Sequence, residues 1–236
     1  MAFLLSFLIT LCAHHLLLMN LQKAQEVLKS TFGYDSFRSL QTQAIQFVYD
    51  TQDGVVIMPT GGGKSLCYQI PAITLEGIAL VISPLIALMK DQVEGLRANG
   101  IAAAYINSSI SYQEEMQLLD QASNGQLNLL YLSPEKFLTS EIQSFLRRVK
   151  LNLIAIDEAH CVSTWGHDFR PEYSKIGQIR KSFQNIPFLA LTATADKATQ
   201  QDIANQLQLI NPKIITSSFE RENLRVQIKP AIDRYK

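Results

Sequence analysis

The segment Met58 to Ser65, MPTGGGKS, concentrates residue types that could hold a phosphorylated ligand. Three consecutive glycines, Gly61, Gly62 and Gly63, let the backbone turn its N–H groups inward around phosphate oxygens, an approach that a Cβ would obstruct. Lys64 can neutralise β- and γ-phosphates and Ser65 can ligate Mg2+, so Thr60 to Ser65 together are the candidate nucleotide contacts. Met58 stands where the strict pattern has its first glycine, and the loop is identified by its setting between a strand-like and a helix-like run. The plainer alternative is a glycine-rich turn with an exposed lysine.

A second segment, LIAIDEAH from Leu153 to His160, ends an apolar run in two adjacent carboxylates. Asp157 is the natural partner for Mg2+, and Glu158 is placed to orient or deprotonate a water attacking in line with a γ-phosphate. An acidic helix N-terminus is the alternative for such a pair taken alone. His160, Cys161 and His167 lack the HExxH spacing, which argues against zinc.

Both segments need a scaffold that brings distant strand ends together. Leu21, Ala24, Val27, Leu28 and Phe32 recur at helical spacing, as do Leu40, Ala44, Ile45, Phe47 and Val48, which predicts two opening helices. Short apolar runs follow at Val55–Met58, Ala79–Ser83, Ala103–Ile106, Leu129–Leu132, Leu153–Ile156, Phe188–Thr192 and Ile214–Thr216, most neighbouring pairs separated by a helix-like segment. Such alternation predicts buried parallel strands with crossover helices, an α/β fold with a doubly wound, mainly parallel sheet and helices on both faces. In that architecture the carboxyl ends of the strands face the ligand crevice, which sets Asp157 beside the phosphate loop.

The whole chain is consistent with one such core: 236 residues, 47% hydrophobic and 18% charged. Lys+Arg 21 against Asp+Glu 21 excludes binding of nucleic acid by bulk charge, so any polyanion site must be a local patch. Cys12, Cys67 and Cys161 are too scattered for a disulfide framework, which points to a reducing, cytoplasmic interior. Residues 1–18 are nearly all apolar, but no Lys or Arg precedes Lys23 and His14-His15 interrupts the run. They read as an extension outside the fold rather than a membrane-directing segment, and no membrane partner is expected. Residues 19–50 then hold the two helices, 51–218 the main domain, and 219–236, charged and containing Pro230, a linker leaving it.

With these motifs in place, the stretch from Leu21 to Ile228 resembles the first RecA-like lobe of a RecQ-type DNA helicase of superfamily two. The phosphate loop and the DEAH residues Asp157 to His160 are shared with many helicases. More specific is FGYDSFRSLQ, Phe32 to Gln41, similar to the family's adenine-recognition segment. The resemblance implies that Tyr34 stacks on adenine, Arg38 supports the base or the neighbouring phosphates, and Gln41 reads the base through its amide. Ser39-Leu40 replaces the usual Pro-Gly of the family, and a helix-capping staple is the structural alternative.

Most specific is CVSTWGHDFRPEY, Cys161 to Tyr173, which resembles the aromatic-rich loop that links single-stranded DNA contact to ATP hydrolysis. Trp165, Phe169 and Tyr173 offer stacking surfaces, while His167 and Arg170 supply polar or cationic contacts. SPLIALMKDQV (Ser83–Val93) and LSPEKF (Leu132–Phe137) resemble the DNA-tracking surface, with Lys90, Gln92 and Ser133 as candidate contacts. In LTATA (Leu191–Ala195), Thr192 and Thr194 are expected to aim hydroxyls at DEAH and, with His160, to couple nucleotide state to DNA.

The resemblance thus implies ATP and Mg2+ as cofactors, DNA as partner, 3′-to-5′ unwinding, and a second RecA-like lobe supplying arginine fingers that this chain lacks. Without those fingers the chain is expected to bind nucleotide and hydrolyse it poorly. A DEAD/DEAH-type RNA helicase lobe would share both nucleotide motifs, and a non-catalytic nucleotide-dependent interaction module is the alternative from another class.

Overall fold

The computed structural model describes residues 19–163 and 168–217. The apolar stretch 1–18, Trp165, His167 and the linker 219–236 lie outside the described residues. A helix over 19–32 (α1) leads to α2 (Ser39–Tyr49), β1 (Gly54–Ile57), α3 (Leu66–Thr74), β2 (Ile78–Ile82) and α4 (Ile86–Ala98). Next come β3 (Ala103–Ile106), α5 (Tyr112–Ser123), β4 (Leu129–Leu132), α6 (Pro134–Phe137), α7 (Ser140–Leu146) and β5 (Leu151–Ile156). A 3-10 turn at Ala159–Val162 precedes α8 (Pro171–Ile179), and a second at Arg180–Phe183 precedes β6 (Phe188–Thr192), α9 (Lys197–Gln206) and β7 (Lys213–Thr216).

All seven strands fall on the apolar runs of the sequence, shifted at most by two residues, and form one sheet in the order β3-β4-β2-β5-β6-β1-β7. Each pairing is parallel. The runs are apolar without alternation because both faces are covered. On one face Val55, Ile57, Leu80, Ile82, Ile154 and Ile156 pack against α5 to α9; on the other Val56, Val81, Tyr131 and Ala155 pack against α2, α3 and α4. α1 seats Ala24 and Leu28 on Ile45 of α2 and Ile70 of α3. β7 is the exception, mostly exposed at the edge beside β1.

Register places the functional segments. Ile57 pairs with Thr192, and Ile156 with Ala190, so β6 lies between β1 and β5 and all three end at one edge. The phosphate loop leaves that edge from β1, Asp157 from β5 and LTATA from β6. Further along it, Ile82, Leu132 and Ile106 are aligned, so Ser83, Ser133 and Asn107 follow them as a row.

Candidate active site

The phosphate loop joins β1 to α3 in the expected strand–loop–helix order. Gly61 and Gly63 adopt φ of +78° and +79°, which an L side chain takes at a cost of about 1–2 kcal/mol. A Cβ on Gly63 would also collide with the Gln41 amide. Lys64 Nζ donates to the Met58 carbonyl at 3.1 Å, and Ser65 stands at the N-cap of α3. Met58 thus contributes a backbone acceptor, a role that needs no glycine.

The segment Phe32 to Gln41 lies against this loop. Arg38 Nη1 donates to the Gly61 carbonyl at 2.9 Å, and Tyr34, Arg38, Gln41, Gly61 and Gly63 line a common pocket. Tyr34 is 57% exposed, leaving a ring face open. Gln41 is buried: its Oε1 accepts from the Arg38 backbone N–H at 2.8 Å, and its Nε2 donates to the carbonyls of Gly63 at 3.2 Å and Gly62 at 3.4 Å. It therefore helps cap α2, whose N-cap is Arg38, and braces the loop at the same time.

Asp157, at the end of β5, is 7% exposed. Its Oδ1 accepts from the Glu158 backbone N–H at 3.0 Å, and among the described residues no cation bonds it. Burial, reinforced by the charge of Glu158, pushes its carboxyl up to about 6. Glu158 itself takes φ 48°, ψ 45°, a left-handed conformation whose cost of about 1–3 kcal/mol is concentrated at functional sites. That turn lets its Oε2 reach His160 Nδ1 at 3.3 Å, and the histidine holds its carboxyl below the usual range. The Cys161 side chain and then Glu158 hold the His160 imidazole above its ordinary value.

His160 Nδ1 also lies 3.0 Å from Thr192 Oγ1, which joins the DEAH segment to LTATA. The Thr192 hydroxyl donates in turn to the Thr194 carbonyl at 3.2 Å. Thr194 participates through its backbone, its side chain being exposed.

Of the aromatic-rich loop, Phe169 is 40% exposed. Arg170 N-caps α8 and its Nη1 donates to the Pro84 carbonyl at 3.2 Å, tying this loop to the one after β2. Tyr173 is not a stacking surface. It is fully buried in α8, packed in the core, with its hydroxyl donating to the Asp157 carbonyl at 3.2 Å. Turn-forming residues around it suggested exposure, but Pro171 at the first helical turn starts a helix whose third residue faces inward. At the neighbouring loops, the Ser133 hydroxyl caps α6 by accepting from the Lys136 N–H, Lys90 pairs with Glu94 at 3.8 Å on the surface, and Gln92 bonds Gln69. Gln69, Tyr68 and Tyr131 were not singled out by sequence reasoning, since nothing local marks them apart from core.

The family profile for the DEAD/DEAH box helicase matches residues 38–203, which include the phosphate loop, DEAH and LTATA. The chain belongs to the DEAD/DEAH box helicase family. Within it the chain is RecQ-like. It is 52% identical over 213 residues to the ATP-dependent DNA helicase RecQ of Haemophilus influenzae, covering 90% of this chain and 34% of that protein. It is 47% identical over 210 residues to the RecQ of Bacillus subtilis, covering 88% and 36%. The chain therefore spans about a third of the length of these curated relatives. Among solved structures, the DUF1998 helicase MrfA bound to DNA matches with a TM-score of 0.66 at 20% identity, covering 83% of this chain and 29% of that one, a likeness of fold. No helix among the described residues is long and apolar enough to cross a membrane.

Proposed function

We propose that this chain is the Mg2+-ATP-binding lobe of a RecQ-like 3′-to-5′ DNA helicase, working in the cytoplasm. The observation that carries this reading is the convergence of the phosphate loop and the buried Asp157 at one sheet edge, on strands separated only by β6. The residues fit the cofactors: Asp157 is a buried anion with no cation bonded among the described residues, and the loop's two left-handed glycines keep Cβ atoms out of the cradle. Ser65 and Asp157 would hold Mg2+, which when bound supplies the divalent charge that screens the β- and γ-phosphates.

Lys64 exchanges the Met58 carbonyl for a phosphate oxygen. Tyr34 stacks on adenine, Arg38 supports it, and Gln41 reads it by exchanging one of its bonds to the loop. Glu158, kept ionised beside His160, accepts a proton from the attacking water at its carboxylate. His160 and Thr192, with Thr194 closing the turn behind them, sense that step and pass it to the aromatic-rich loop, where Trp165, His167, Phe169 and Arg170 meet single-stranded DNA. The division into an adenine-recognition segment (19–50) and an ATP-binding domain (51–218) follows from the same reading. A second RecA-like lobe supplies arginine fingers, whose absence costs on the order of 10³–10⁵ in rate, so this lobe by itself binds ATP and turns it over slowly.

The test is a nucleotide titration of the parent chain and of Lys64→Ala. Binding in the parent that disappears in the variant, with an unchanged melting temperature, supports the reading; equal affinity in the two removes the phosphate loop from it.

A further inference from the structure

The first turn of α3 carries two buried polar side chains that no nucleotide contact explains. Tyr68 is fully buried and Gln69 is 6% exposed, on a helix that otherwise buries Cys67, Ile70 and Ala72. An amide is unfavourable in such a place unless its bonds are made there. Gln69 Nε2 donates to Gln92 Oε1 at 3.0 Å, which joins α3 to α4. The Tyr68 ring meets Tyr131 of β4 edge-on, with centroids 6.3 Å apart, planes at 73° and hydroxyls 3.5 Å apart. The backbone N–H groups of Tyr68 and Gln69 both donate to the Ser65 carbonyl, at 3.2 and 2.9 Å.

One helical turn thus contacts Ser65 on its nucleotide side and, on the other side, α4 and β4. α4 begins within SPLIALMKDQV, and β4 runs directly into SPEKF. Pro71 follows immediately after this turn. It has no N–H to bond the Cys67 carbonyl, so one bond of the ladder is missing there, while the Thr74 hydroxyl still bonds the Ile70 carbonyl at 2.9 Å. At its other end the turn is bonded directly to the phosphate loop, Cys67 N–H donating to the Lys64 carbonyl at 3.0 Å and Gln69 N–H to that of Ser65 at 2.9 Å, so a change of partners at Lys64 and Ser65 acts on it first. Apolar packing would let neighbouring helices slide past it, whereas paired amides keep their bond only in one relative position.

We propose that Gln69 is a positioning residue that conveys the state of the phosphate loop to the nucleic-acid edge of this lobe, through Gln92 on α4 and with the Tyr68–Tyr131 pair on β4. The proposal rests on the functional reading above, and adds to it the element that both ligands bias.

The experiment measures the affinity of the chain for a single-stranded DNA oligonucleotide with and without a non-hydrolysable ATP analogue and Mg2+, and takes the ratio of the two. For coupled sites that ratio is on the order of fivefold or more. Gln69→Met keeps the length of the side chain and loses the amide; it should bind the analogue within about twofold of the parent while the ratio collapses towards one. Tyr131→Phe, which removes one buried hydroxyl and keeps the ring, should reduce the ratio in the same direction and guards against a folding defect in the first variant. A ratio unchanged in both variants overturns the proposal. So does a parent ratio of one with analogue binding intact, which leaves the nucleotide site standing. A parent that does not bind the analogue overturns the functional reading and this proposal together.

Discussion

Asp53 and Asp157 are carboxylates buried to almost the same degree, 2% and 7% exposed, at opposite ends of one sheet. Asp53, just before β1, accepts two bonds from Arg180 Nη2 at 2.9 and 3.0 Å and one from Nε at 3.2 Å. The backbone N–H groups of Phe188 and Ile210 add bonds at 2.8 and 2.6 Å. Arg180 in turn lies 4.5 Å over the Phe188 ring and donates to the Phe183 carbonyl. Asp157, just after β5, has one backbone donor and a carboxyl pushed up to about 6. A charge meant for stability is surrounded until its desolvation is offset; a charge meant for a ligand is left short of partners. The amino end of the sheet holds the fold together, and the carboxyl end holds charge that, on the function proposed above, is available for Mg2+.

The largest expected effect lies at the amino end. Arg180→Ala strands Asp53 in the interior and should cost about 3–5 kcal/mol, read from the denaturation midpoint. A cost below about 1 kcal/mol would break the contrast, because the pair would then be dispensable. The pH response of the carboxyl end sharpens it. With its carboxyl raised to about 6, Asp157 favours the protonated form in the folded chain, so its contribution to stability is present below the ordinary carboxylate range and is lost as pH rises through about 6. On the proposed function, Mg2+ competes with that proton. Mg2+-dependent nucleotide affinity should therefore weaken about tenfold between pH 7 and pH 5, more steeply than in the absence of Mg2+. A flat profile across that window would place Asp157 outside the cation site. The smallest effect is expected at Ser83, whose buried hydroxyl has no partner among the described residues. Ser83→Ala removes no side-chain bond among the described residues and should change stability by about 0.5 kcal/mol or less.

Sequence alone located the strands because a parallel sheet covered on both faces writes uninterrupted apolar runs such as Leu153–Ile156, and because Gly61–Gly63 and Asp157 sit where such runs stop. It could not order the strands: that β6 separates β1 from β5 is decided by tertiary pairing. Arg180 and Asp53 are 127 positions apart and carry no local mark of their pairing. Tyr173 is buried although the sequence sets it among turn formers, because these end at Pro171, two residues before it, where the helix that turns it inward begins. Gln41 shows the opposite limit. Its position was legible, but both ends of its amide are engaged with Arg38 and the loop glycines, which residue type cannot reveal.

The most direct test of the contrast compares Asp157→Asn with the parent, measuring the melting temperature and the nucleotide affinity with and without Mg2+. Losing a buried, poorly satisfied charge should leave the melting temperature equal or higher, while Mg2+ no longer strengthens nucleotide binding, a loss of tenfold or more, or about 1.4 kcal/mol. A variant that melts several degrees lower and keeps the full Mg2+ effect would contradict the account, and would make Asp157 a structural carboxylate like Asp53.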